Sequence, residues 1–177
     1  MDLTLDLQPY QLAIVVGVDH KVQHFIDGIA PDDPRIKFRL KFHDFLRGIT
    51  GRHPVDVICE EAKHGAESIA EMVADREALR YRNIEVPMQR RAELGIPLGY
   101  TDGLGSEVSP EQKAKWNALH ESHMVDELLE AFAGARAAVV ICGVSHMLAF
   151  AQALRTKFAH IEEYDVTAMP WFDRSLP

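Results

Sequence analysis

One four-residue phrase stands at two distant points of the chain, as Gly17-Val-Asp-His20 and as Gly143-Val-Ser-His146. Each copy follows a short apolar run. A third apolar run, between them, ends in paired carboxylates, Glu60-Glu61, and then Lys63-His64-Gly65. A neutral imidazole suits a metal ligand or a general base. Glycine at such a strand-to-helix turn permits φ > 0 or close backbone approach. The histidine then falls near a helix N-terminus, where the macrodipole disfavours imidazolium. Two such histidines with one or two carboxylates suit an open divalent-metal site that turns water into a nucleophile. Without metal, a Glu and a His would activate water directly. The candidate metal ligands are therefore His20, Glu60, Glu61 and His146. Adjacent strand residues face opposite ways, so one of Glu60 and Glu61 is expected in the site, and which one stays open. His120 and Glu121 lie one turn before Met124 and Val125 on the apolar stripe of a helix pattern, so they point inward or to the rim and join the candidate catalytic set. A single Gly-x-x-His equally describes an ordinary loop residue; the weight lies in two copies, each at a strand end.

These side chains share one rim only if the apolar runs are parallel strands, whose carboxyl ends are where open α/β sheets bind ligands. Leu12–Gly17, Val55–Glu60 and Ala137–Gly143 read as buried strands, rich in β-branched residues. Asn83–Val86 is a weaker strand and Ile161–Val166 a last one. Helix patterns lie between them. Phe38, Phe42, Phe45, Leu46 and Ile49 share one helical face, as do Ile69, Met72, Val73 and Arg76. Ser109-Pro110-Glu111-Gln112 supplies an N-cap, a first-turn proline and a capping-box Gln. The stripe of that helix is Met124, Val125, Leu128, Leu129 and Phe132, with Gly134 as its stop. A final helix begins at Ser145 and carries Leu148, Phe150, Leu154 and Phe158. Strands alternating with helices predict one α/β domain over 1–177, a mostly parallel sheet with helices on both faces. Leu94–Ser109 is Gly-rich and patternless, long enough for a lid or binding loop.

Composition narrows the function classes. The 177 residues carry 27 acids against 19 bases, a formal charge of −8, and no Lys/Arg block. Nucleic-acid binding is therefore disfavoured. No apolar run is long enough for a membrane span, and the N-terminus lacks a secretory pattern, so a cytoplasmic location is expected. Cys59 and Cys142 sit inside apolar runs and read as reduced core thiols. Arg80, Arg82, Arg90 and Arg91 read as a solvated helix-side cluster, and so do Arg35, Lys37, Arg39 and Lys41. Dinucleotide, nucleotide-triphosphate and serine-elbow motifs are missing. A small-molecule or peptide substrate fits, and a homo-oligomer is left open.

The paired phrases, with a strand-end Glu between them, resemble the TraB/Tiki-type superfamily, which includes erythromycin-esterase-like and ChaN-like proteins. The closest part is Met124-Val-Asp-Glu-Leu-Leu followed by Ala137-Ala-Val-Val-Ile-Cys-Gly-Val-Ser-His146. Members of that group show an Arg-acid-x-x-Met helix, an apolar strand and Gly-x-x-His in this order. The opening phrase Ile14-Val-Val-Gly-Val-Asp-His-Lys-Val-Gln23 also looks like small bacterial proteins of this arrangement. The resemblance implies an α/β fold and hydrolysis at a His/Glu site, divalent-metal-dependent in some members, directed at esters in others. ChaN-like members bind haem. His20 and His146 match the motif histidines, and Glu60 or Glu61 the acid. The family Arg falls at His120, where this chain departs. The resemblance thus implies a hydrolase of an ester or amide. The rivals are a non-catalytic metal-, haem- or small-ligand-binding protein of the same fold, and an interaction module with an inert rim.

Overall fold

Strands covered on both faces need no polar side, so they read as unbroken apolar runs. The computed structural model, which describes residues 11–24, 33–62, 67–97 and 108–174, follows this rule. All seven residues of β1 (Leu12–Val18) and all seven of β4 (Ala137–Gly143) are buried. With β2 (Val55–Glu60), β3 (Arg80–Asn83) and β5 (His160–Asp165) they form a five-stranded sheet of order β3-β2-β4-β1-β5. Every pairing is parallel. The strands alternate with α1 (Pro34–Thr50), α2 (Ile69–Arg76), α3 (Met88–Glu93), α4 (Pro110–Ala131) and α5 (Val144–Leu154).

The strand period of two sorts the core into two layers. Ile14, Val16, Ile58, Val139 and Ile141 pack beneath Phe42, Leu46 and Ile49 of α1 and Ile69 and Val73 of α2. Ala13, Val15, Val57, Cys59, Val140 and Cys142 face Met124 and Leu128 of α4 and Phe150 and Leu154 of α5. The expected α/β sheet with helices on both faces is therefore present. Local signals place the helix ends. The Ser109 hydroxyl accepts the Gln112 N–H at 3.2 Å ahead of Pro110, and Asp33 does the same for the Arg35 N–H at 2.8 Å ahead of Pro34. No helix among the described residues is long and apolar enough to cross a membrane.

Three expectations need correction. The third strand in chain order is Arg80–Asn83, not Asn83–Val86. It is an edge strand, so polar side chains suit it, while Ile84 and Val86 are buried just beyond the sheet. Arg80 and Arg82 thus belong to a strand, and Arg82 reaches Glu127 on α4. Arg39 is not solvated but 2 % exposed. The glycines of the repeated phrase need room, not positive φ: among the described residues only Gly95, Gly134 and Ala78 have φ above zero. Lys63-His64-Gly65 and most of the loop from Leu94 to Ser109 lie outside the described residues.

Candidate metal centre

β4 lies between β2 and β1, so the three central strands end side by side. Their carboxyl ends deliver Glu61, His146 and His20 to one rim. Glu61 extends β2 by one residue, its N–H donating to the Ile141 carbonyl at 2.8 Å. Strand alternation then separates the paired acids. Glu61 turns to the α4/α5 side, where its Oε2 accepts the Gly143 N–H at 2.7 Å. Glu60 turns to the α1/α2 side and leaves the site. There it accepts from the Ser68 hydroxyl at 2.6 Å, the Tyr81 hydroxyl at 2.8 Å and the Gln23 amide at 3.0 Å. Of the two acids left open by the sequence, Glu61 faces the histidines and Glu60 faces away from them. Burial pushes the Glu60 carboxyl upward despite its three donors.

Glu61, His120 and His146 each present a ligand atom, and these atoms lie within 4.8 Å of one another. The rings of His120 and His146 meet edge to face at 5.4 Å. Both are held from behind by a carboxylate. His120 Nε2 lies 2.8 Å from Glu85 Oε1, and His146 Nδ1 lies 3.0 Å from Glu121 Oε1. A carboxylate only accepts, so those nitrogens carry hydrogen. Nδ1 of His120 and Nε2 of His146 are left for a ligand. His120 is 2 % exposed, and its Nδ1 has no hydrogen-bond partner among the described residues. An orphaned buried nitrogen costs free energy unless something occupies its lone pair. Backing of a ligand imidazole by a carboxylate is the usual arrangement around bound metals.

His20 joins the same carboxylate from the other side. Its Nε2 is 3.9 Å from Glu61 Oε1, and its side chain is 54 % exposed. Gln23 sets its tautomer. The Gln23 amide nitrogen donates to Glu60 and to the Glu61 carbonyl, both at 3.0 Å, so its oxygen faces His20 Nδ1, 2.5 Å away. Nδ1 therefore donates, and Nε2 is bare toward the site. The ring approaches so closely that a Cβ on Gly143 would stand 2.8 Å from His20 Nε2. Gly143→Ala is accordingly expected to push His20 aside by a few tenths of an ångström. Because that ring is half exposed, the melting temperature should move little. Any turnover should fall by about tenfold or more, since misplacement of about 1 Å can cost 10²-fold; a matched melting curve and rate measurement checks this.

Electrostatics reinforce the backing. Burial alone would push Glu85 up, but the hydrogen bonds and charges of His120 and Arg91 outweigh it and hold the carboxyl down at about 2. Burial opposes the His120 cation, yet Glu85 and Glu61 raise its pKa. A cation bound at Nδ1 therefore displaces a proton. Burial pushes the Cys59 thiol up to about 12 and Cys142 higher, so neither offers a thiolate.

No family model, curated protein or solved structure matches the chain.

The donor set of two imidazoles and one carboxylate thus rests on the geometry. Four of the six residues singled out in sequence surround Glu61: His20, His120, His146 and, one bond behind, Glu121. Glu85, Arg91 and Gln23 complete the surroundings. Glu85 had a weak signal, as an acid between Ile84 and Val86, which are both buried. Arg91 leaves the solvated cluster for a 2.7 Å ion pair with Glu85.

Proposed function

We propose that this protein is a divalent-metal-dependent hydrolase of an ester or amide. The observation that carries this is the orphaned Nδ1 of buried His120, in a cluster with His146 and the Glu61 carboxylate whose ligand atoms lie within 4.8 Å of one another. Two histidines and one carboxylate form a set that hydrolytic zinc sites use with a position left open. Glu61, His120 and His146 would hold the ion, with Glu85 and Glu121 fixing the ring orientations. A divalent ion there supplies Lewis acidity and a nucleophile at neutral pH. The chain's own residues supply the rest. His20 takes a proton from the attacking water at Nε2 and returns it to the leaving group. Gln23 keeps Nδ1–H in place so that Nε2 stays the accepting nitrogen. The Gly143 N–H holds Glu61 in its rotamer. The TraB/Tiki-type resemblance supports the same reaction class, and the loss of the family Arg at His120 gives that position a ligand in place of a guanidinium.

The test begins with protein purified without an affinity tag. Stoichiometric divalent ion, and hydrolysis of activated esters or peptides that stops with a chelator and returns with metal, is the expected result. His20→Ala should keep the metal and lose turnover by about 10²-fold, the scale of general-base catalysis. Metal without turnover in every substrate class would replace the hydrolase with a binding protein of this fold. No metal uptake at all overturns the centre. Haem binding would appear as a Soret band on titration.

A further inference from the structure

The two Gly-x-x-His phrases do more than each bring a histidine to the rim. β1 and β4 are neighbours, and their parallel register pairs Gly17 with Cys142 and Val18 with Gly143. The phrases therefore leave the sheet side by side, one residue out of step. Each glycine then lies under a side chain that the other turn carries. A Cβ on Gly143 would stand 2.8 Å from His20 Nε2. A Cβ on Gly17 would stand 2.6 Å from Met147 Sδ and 3.2 Å from both Cβ and Cγ of Met147, the residue directly after His146.

Strand parity explains the second contact. Gly17 has the parity of Ala13 and Val15, which face α4 and α5. Met147 is partly buried in that same layer and fills the place where a side chain at position 17 would stand. Neither glycine has a positive φ, so space is what each supplies. The contact at Gly17 is not one that a change of Met147 rotamer relieves. Cβ and Cγ crowd the position as well as Sδ, so a methyl group there would press on the whole root of the side chain. The pressure passes to the first turn of α5, which holds His146. Two neighbours of His146 register such a shift. Glu121 Oε1 on α4 lies 3.0 Å from its Nδ1, and the His120 ring meets its ring edge to face.

We propose that the two phrases interlock, Gly143 seating the His20 ring and Gly17 seating Met147, so that Gly17 and Met147 are positioning residues for His146. For its bearing on the reaction the interlock rests on the reading of His146 as a metal ligand; its geometry does not. The repeat thereby gains a physical reason. Each copy supplies the room that the other copy's turn occupies, so the spacing of His20 and His146 is set where the two turns cross and not by either turn alone.

The test first reads His146 without metal. In chelator and mildly alkaline buffer, where imidazole is neutral, long-range proton–nitrogen NMR correlation reports which ring nitrogen carries hydrogen. The wild type is expected to hold His146 as the Nδ1–H tautomer, fixed by Glu121. Gly17→Ala should blur this signature into a mixture of tautomers. Combining Gly17→Ala with Met147→Ala should restore it, because Sδ and Cγ are gone and only the 3.2 Å contact to Cβ remains. Cobalt(II) is then titrated into the same proteins. Its affinity should fall at least about tenfold in Gly17→Ala and return to within about threefold of wild type in the double variant, the scale on which a metal site responds when a ligand loses its support. A wild type with mixed tautomers, an unchanged signature in Gly17→Ala, or a double variant that fails to restore it overturns the interlock whether or not metal binds. A signature lost and restored while cobalt binding is absent or unaffected supports the interlock and removes His146 from the metal centre instead. If Gly17→Ala does not fold, the double variant decides: folding with the wild-type signature supports the interlock, and failure to fold overturns it.

Discussion

Glu85→Ala is expected to lower the melting temperature by roughly 10 °C, the largest stability effect at this site. Glu85 accepts from His120 at 2.8 Å and from Arg91 at 2.7 Å, and neither its own side chain nor that of Arg91 or His120 is more than 12 % exposed. Removing it leaves the buried Arg91 guanidinium and the His120 Nε2–H without their shared acceptor. Breaking a buried ion pair from one side costs about 3–5 kcal/mol, and about 1 kcal/mol shifts the melting point by 2–4 °C in a domain of this size. The pH dependence gives the effect a signature. Glu85 is held at about 2 against an ordinary 4.5. Its stabilisation is thus complete above 4.5 and is lost as pH falls toward 2. His120 is raised above 6.5, so its share is complete below 6.5 and is lost as pH rises through the folded-state value. The stability gap between wild type and the isosteric Glu85→Gln should therefore be widest between pH 4.5 and 6.5 and narrow on both sides. Thermal melts across pH 2 to 9 check this. A gap that does not change with pH would mean that the loss is one of packing.

The parts of this molecule that were legible in sequence are those where one local rule decides the outcome. β1, β2 and β4 are covered on both faces, so each is an apolar run bounded by turns, and their ends locate the rim. α4 announces itself through Ser109 and Pro110. β3 was not legible in the same way. As an edge strand it is stabilised by its partner β2 and by Arg82 contacts to α4, so Arg80-Tyr-Arg-Asn83 has no apolar signature. In the site, the two Gly-x-x-His phrases marked His20 and His146 because the chemistry sits at the strand ends. The reason for the glycines was only half legible. At Gly143 the requirement is space for the His20 ring, which nothing local encodes. Gln23 gave no signal and Glu85 only a weak one, because Glu60 and His120, which tie them to the site, lie 37 and 35 residues away. Arg39 looked like one of several solvated cations on α1, yet it is buried and its guanidinium donates to the Lys21 carbonyl, a contact that no local pattern encodes. The choice between Glu60 and Glu61 was framed correctly by strand alternation, but deciding it required knowing which helices cover which face.

That choice yields the sharpest contrast available at the rim. Glu61→Gln should reduce divalent-metal affinity by at least about 10²-fold, whereas Glu60→Gln should leave it within about threefold. Losing a mere backing residue of a metal ligand already costs about 10- to 100-fold, so losing a direct ligand sets a floor at the upper value. The glutamine at position 61 still offers its carbonyl to the Gly143 N–H, which keeps the rim intact. What it lacks is the negative charge that draws a dication between His120 Nδ1 and His146 Nε2. Glu60 sits one residue earlier, and its hydrogen bonds run to Ser68, Tyr81 and Gln23 on the far face. Glu60→Gln does disturb that cluster, because an amide nitrogen replaces one acceptor among three donors, so a lower melting temperature is expected there. Two readouts keep the comparison clean. Calorimetry gives the affinity directly. A bound ion present at 100 times its dissociation constant stabilises the fold by about 2.7 kcal/mol, so added metal should raise the melting temperature of wild type and Glu60→Gln by similar amounts and leave Glu61→Gln unmoved. If the two variants lose metal equally, the ion is not held on the α4/α5 side, and the centre built on Glu61, His120 and His146 falls. If neither loses it, the ligands lie elsewhere in the chain. The outcome in which only Glu61→Gln fails requires the paired acids to face opposite sides of the sheet, as strand alternation demands.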